Sequence, residues 1–217
     1  MKITQQELSV KYSENSKIYP DSLRLRLYRA LSWLEQAEKR QDDLDFCFIS
    51  LWISFNAIYA DDLNEIGDRS AVTGFLKKLS DLDTDKLLYA LVWDTFSDNI
   101  RILLNNQYSF QPFWDEYNKP KTTTVNSWEE RFESEKKKVT KAMGTQNTAH
   151  LLTIVFRRLY TLRNQIIHGG ATYNSSTNQS QKKEACRFLL TIIPAIINII
   201  MDNYNEDWGI PYYPVVK

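Results

Sequence analysis

The chain has 217 residues, 43% hydrophobic and 25% charged, which is enough apolar material for one sizeable core and excludes a disordered polymer. Lys+Arg and Asp+Glu both number 27, so the zero net charge excludes a protein that coats nucleic acid by bulk charge and leaves only a local basic cleft open. The first ten residues lack the apolar run of a secretory leader, and Cys47 and Cys186 each sit inside an apolar stretch, so a cytoplasmic protein with reduced, buried thiols is the expectation.

Helical spacing dominates the chain. Asp21-Ser22 opens a helix with Leu23, Leu27, Leu31 and Leu34 on one side, and Gln41-Asp42-Asp43 breaks it. A second helix runs through Phe46, Ile49, Trp52, Phe55 and Tyr59, apolar on most faces. A shorter one around Phe75, Leu76 and Leu79 ends near Asp81–Asp83, and another is predicted from Thr84 to about Asn106. From 107 to 127 the pattern fails; Pro112, Pro120 and Thr122-Thr123-Thr124 read as loop. A charged helix follows from Trp128 and ends at Gly144, so 107–147 reads as an insertion into a bundle.

The next helix spans Thr148 to His168 on a stripe of Leu152, Val155, Leu159, Leu162 and Ile166, and Gly169-Gly170 stops it. A polar loop, 171–180, leads to the last helix, about 181–204. Its apolar run Phe188–Met201 is shorter than a membrane span requires and reads as core, with a kink expected at Pro194. The aromatic tail 205–217 is expected to be extended. The fold class is all-α, a single helical domain.

One stretch carries chemistry. Arg157, Thr161, Asn164 and His168 are spaced by four, three and four, which puts them on one stripe, with Arg163 on the neighbouring stripe beside Tyr160. Asn164 and His168 form an i, i+4 pair whose side chains can meet. The helix dipole favours the imidazolium of His168 and Arg163 opposes it, a balance that suits a group taking and giving protons. Arg163 offers a fork of donors for phosphate. A histidine base beside an arginine clamp suits attack of an RNA 2′-hydroxyl on its own phosphodiester, which cuts RNA and spares DNA. No Cys/His cluster has metal-ligand spacing, and neither metal nor cofactor is expected.

Arg163-Asn164-x-x-x-His168 resembles the R-N-x-x-x-H motif of the HEPN superfamily, all-helical domains of toxin–antitoxin, antiphage and RNA-processing systems. The aromatic helix Leu51–Tyr59 is similar to one in several branches of that family, and the likeness extends over about 21–205, with 107–147 unmatched. The resemblance implies a metal-independent endoribonuclease, a toxin or antiphage effector. It implies a homodimer with the motif at a shared cleft, RNA as substrate, an antitoxin or regulatory protein as a further partner, and no membrane. Arg163 would bind phosphate, His168 would be the base, and Asn164 would orient His168 or the RNA backbone. Position 170 is glycine where one toxin branch carries a modified tyrosine; the nearest tyrosine is Tyr173. The alternatives are a non-catalytic binding or dimerisation module acting with a protein or nucleotide, and a structural bundle in which Arg163 and His168 are tied up internally. Arg157, Arg158, Lys182, Lys183 and Arg187 are candidates for a basic rim that grips RNA, and Asn56 for a polar residue facing the cleft; each has a plain structural reading beside it.

Overall fold

The computed structural model describes residues 3–59, 69–118, 127–176 and 178–215. Among them there is no strand. The helices are α1 (Gln5–Asn15), α2 (Asp21–Lys39), α3 (Leu44–Tyr59), α4 (Arg69–Leu82), α5 (Leu87–Ala90), α6 (Ser97–Leu104), α7 (Gln111–Tyr117), α8 (Trp128–Gly144), α9 (Thr148–Ile167) and α10 (Gln179–Asp202).

α3 occupies the centre because its sequence is apolar nearly all round. It packs on α2, α9 and α10 and buries Phe48, Leu51 and Phe55 completely. Burying one such phenylalanine stabilises the fold by roughly 1.5–3 kcal/mol. Ser54 Oγ donates to the Ala30 carbonyl at 2.8 Å, so a small polar side chain brings α3 close against α2. Phe55 stacks on Phe156 of α9 with ring centroids 4.3 Å apart, and Phe156 meets Phe188 of α10 edge-on. The Phe188–Met201 run is core, as its composition predicts. Its helix is long and apolar enough to cross a membrane, and 78% of its most apolar window is buried inside the fold. Cys47 and Cys186 are free, buried thiols on the facing helices α3 and α10.

Three elements differ from the sequence reading. α1 was not expected. A capping box announces it: Thr4 Oγ1 accepts from the Glu7 N–H at 3.2 Å, and Glu7 accepts from the Thr4 N–H at 2.8 Å. Lys11 then ties α1 to α10 through Asn198 at 2.7 Å. The single helix predicted over Thr84–Asn106 is broken. Leu91–Thr95 widens to a π-turn, in which the Phe96 N–H reaches back five residues to the Leu91 carbonyl at 3.0 Å, and α6 starts afresh. Pro112 sits in the first turn of α7, where its missing N–H costs nothing, so it begins a helix rather than a loop. Pro120 and Thr122–Thr124 lie outside the described residues.

The segment 107–117 and α8 form a cap beside α9. The Trp128 N–H donates to Glu116 at 2.7 Å, joining α7 to the start of α8. At the C-terminus, Trp208 docks on α4. Its indole donates to the Asn203 carbonyl at 2.9 Å, and Lys78 lies 4.6 Å over its ring.

Candidate active site

The site is built on the C-terminal end of α9. The helix begins at Asn147, whose side chain accepts from the His150 N–H at 3.0 Å. It is held by a buried face of Leu152, Val155, Leu159 and Leu162. It ends at a Schellman motif: the Gly170 N–H donates to the Gln165 carbonyl at 2.7 Å, and the Gly169 N–H to Ile166 at 3.2 Å. Gly169 has φ +71°, and a Cβ on Gly170 would stand 2.8 Å from the Gln165 carbonyl oxygen. Both glycines are therefore required by the turn itself. His168 is the residue at which the helix is released, and its side chain is exposed.

Within this end, Arg163 and Asn164 are joined. Arg163 Nη1 donates to Asn164 Oδ1 at 2.9 Å, and the guanidinium lies 6.0 Å from the Tyr160 ring centroid. Arg163 Nε is buried without a hydrogen-bond partner. The i, i+4 spacing allows Asn164 to meet His168, but no side-chain hydrogen bond links them; Asn164 orients Arg163 instead. Only the main chains meet, the His168 N–H donating to the Asn164 carbonyl at 3.0 Å. The reading in which His168 is tied up internally predicts a buried, bonded imidazole. The imidazole is exposed and makes no hydrogen bond or ion pair among the described residues.

The polar stripe opens on a cavity of about 180 Å³. Arg157, Thr161 and Asn164 line one side of it. Trp52, Phe55 and Tyr59 of α3 form the wall opposite, and the cap closes it with Phe110 and Pro112. Burial pushes the Tyr59 phenol above its ordinary value, so this wall stays neutral. The cap is held at this spot by Gln165, an x position of the motif. Its Nε2 donates to the Tyr108 carbonyl at 2.6 Å, and its Oε1 accepts from Asn178 at 2.8 Å. Sequence reasoning missed Gln165, because nothing local distinguishes an anchoring glutamine from a surface one.

Several basic residues expected at an RNA rim are placed elsewhere. Arg158 is 3% exposed and pairs with Glu135 of α8 at 2.7 Å. Its guanidinium lies 4.3 Å from the Phe110 ring centroid and 5.0 Å from that of Phe132. Burial pulls its pKa down to about 10 against the opposing pull of Glu135, and the group stays charged at neutral pH. Arg158 is a clasp between α9 and the cap, with Glu135 as its counter-ion. Lys182 is likewise buried, with Nζ 2.6 Å from Asp45 at the start of α3. The cause is local: a lysine at the first turns of a helix packed on α3 finds a carboxylate there, and solvent barely reaches it. Asp45 also accepts from the Asn174 N–H at 2.8 Å, and Asp43 accepts from the Tyr173 hydroxyl, so the loop after the motif is pinned to the same corner.

Lys183 and Arg187 are exposed but border a different cavity, with Gln41, Asp42 and Thr95. Asn56 does not line the cavity beside Asn164; its Oδ1 is buried without a partner. Of the outlying candidates, Arg157 and Arg158 border the same cavity as Asn164, Arg157 exposed and Arg158 buried against Glu135. Among the described residues, no group of three or more His, Cys, Asp or Glu side chains could hold a metal ion.

Comparison with protein-family models, curated proteins and solved structures gives no match for this chain.

Proposed function

We propose that the protein is a HEPN-type endoribonuclease that cleaves RNA by attack of a 2′-hydroxyl on the adjacent phosphodiester, without a metal. The observation that carries the reading is the state of the motif. His168 is exposed at the end of α9, its imidazole without a hydrogen bond or ion pair among the described residues, one turn beyond an Arg163 braced by Asn164. A structural role would consume the histidine; among the described residues nothing engages this one.

In this mechanism His168 takes the proton of the 2′-hydroxyl as the 2′-oxygen bonds to phosphorus. The bond from phosphorus to the 5′-oxygen breaks, leaving a 2′,3′-cyclic phosphate and a 5′-hydroxyl. Arg163 holds the non-bridging oxygens as charge builds on them, and the Asn164 bond keeps its guanidinium from wandering. The departing 5′-oxygen receives its proton from water or from His168 of a second copy of the chain, which is the role a homodimer would fill.

The test is cleavage of a mixed RNA in EDTA by wild type, His168→Ala and Arg163→Ala. Each substitution is expected to lower the rate at least 100-fold, in line with loss of an acid–base group or a charge clamp. Melting temperature should be unchanged, since neither side chain is in the core. A 2′-deoxy strand should survive. Cleavage by both variants at the wild-type rate refutes the proposal, and absence of any cleavage by wild type favours the non-catalytic binding module.

A further inference from the structure

We infer that the cavity beside Asn164 is a pocket for one unpaired nucleobase of the RNA, so that the chain selects its cutting position by a base held in this pocket. The choice of RNA as ligand rests on the ribonuclease reading; the pocket and its preference for a flat neutral ring rest on the structure.

The volume, about 180 Å³, is far more than one or two waters need and admits a small ring system. Its walls are aromatic from three directions: Trp52 and Phe55 on α3, Phe156 and Tyr160 on α9, and Phe110 on the cap. Aromatic faces hold bases by stacking regardless of sequence. Arg157, Thr161 and Asn164 line the pocket, and His168 follows Asn164 on that stripe after four residues. At 1.5 Å per residue this is roughly 6 Å along the helix axis. His168 does not line the cavity; a base held beside Asn164 would bring its backbone toward this end of α9.

Charge decides which part of a nucleotide enters. Two arginines line the cavity: Arg158 is buried and paired with Glu135 at 2.7 Å, its guanidinium against the rings of Phe110 and Phe132, while Arg157 is exposed. A phosphate set deep in the cavity would meet the Glu135 carboxylate, which also lines it, whereas a neutral base has no charge to desolvate and needs partners only for its polar edges. Arg157, exposed on the lining, is left for the phosphates. Polar edges of the base find the Asn164 amide N–H₂, which has no acceptor among the described residues because Asn164 engages Arg163 through its oxygen, and the Thr161 hydroxyl, whose one bond among them is a long one of 3.3 Å to the Arg157 carbonyl.

The experiment uses the full chain and 2′-O-methyl tetranucleotides, which lack the nucleophile and are not cut. Binding is followed by intrinsic tryptophan fluorescence, since Trp52 forms part of the wall, and by competition with a labelled strand. A tetranucleotide with one abasic position at the pocket should bind roughly tenfold or more weaker than the intact one, the usual effect of losing one stacked base. Val72→Phe, which fills the pocket from α4, should remove that difference; Thr161→Ile fills it from α9 and serves if Val72→Phe melts early. Equal affinity of intact and abasic strands for wild type, or persistence of the difference in both filled variants, overturns the pocket. Base-dependent binding without cleavage of ordinary RNA supports the pocket and sinks the nuclease reading. Cleavage without base-dependent binding does the reverse.

Discussion

Replacing Lys182 by alanine separates an RNA-binding lysine from a structural one. Lys182 and Asp45 approach to 2.6 Å with side chains 4% and 15% exposed. Their gross attraction at an effective dielectric near ~20 is about 6 kcal/mol, most of which desolvation cancels. Removing the lysine leaves Asp45 with its charge half-enclosed and only the Asn174 N–H as a described partner besides water. Breaking a buried pair costs about 3–5 kcal/mol, and the residual exposure of Asp45 puts Lys182→Ala near ~3 kcal/mol. For a domain of this size that lowers the melting temperature by roughly 6–12 °C. Lys182→Met with Asp45→Leu should recover most of the loss, less about 1 kcal/mol for the missing bond to Asn174. The assay is thermal melting by circular dichroism beside RNA affinity measured at several salt concentrations. A phosphate-binding lysine would instead leave the melt unchanged and reduce the salt dependence of RNA binding by about one charge. A Lys182→Ala protein that melts within 2 °C of wild type would refute the reasoning.

Gly170→Ala forces a methyl to 2.8 Å from a main-chain carbonyl, and Gly169→Ala strains a residue at φ +71°. Each should cost about 1 kcal/mol or more and reduce RNA cleavage further than the melt alone accounts for, because the turn carries His168; a neutral melt for both would remove the Schellman motif from the account. Arg158→Ala strands Glu135 and unclasps the cap, so limited proteolysis should cut within 107–144 faster than in wild type, with about 3 kcal/mol lost in urea melts; unchanged proteolysis speaks against the clasp. The loop tether depends on pH at both ends. Slight burial raises the Asp43 carboxyl, but hydrogen bonds from Tyr173 and the Phe46 N–H outweigh it and leave it lowered, while the bond to Asp43 raises the Tyr173 phenol. A lowered carboxyl stabilises above its unfolded value near ~4 and loses this as pH falls through the folded one; a raised phenol stabilises below ~10 and loses this as pH rises through the folded one. The Asn174 amide resonance, next to Tyr173, should therefore hold its position between pH ~4 and ~10; a movement inside that range would contradict the tether.

The sequence by itself determined the all-helical fold, because helices are written in local spacing and in stop signals such as Gly169-Gly170, and it located the motif at the end of α9. Even the missed α1 was legible, in Thr4-x-x-Glu7. The π-turn was not, since a widened turn carries the same apolar spacing as a regular one and is set by what packs on it. Tertiary structure decided which charges are free. Arg157 and Arg158 are neighbours of one type, yet one is exposed and the other is 3% exposed between two rings of the cap. Lys182 is spent on Asp45, a partner 137 residues away. Asn164, spaced to meet His168, was drawn to Arg163 and left the histidine unencumbered. Periodicity reports which face a side chain lies on; whether a counter-charge waits across that face depends on distant segments, and only packing brings those together.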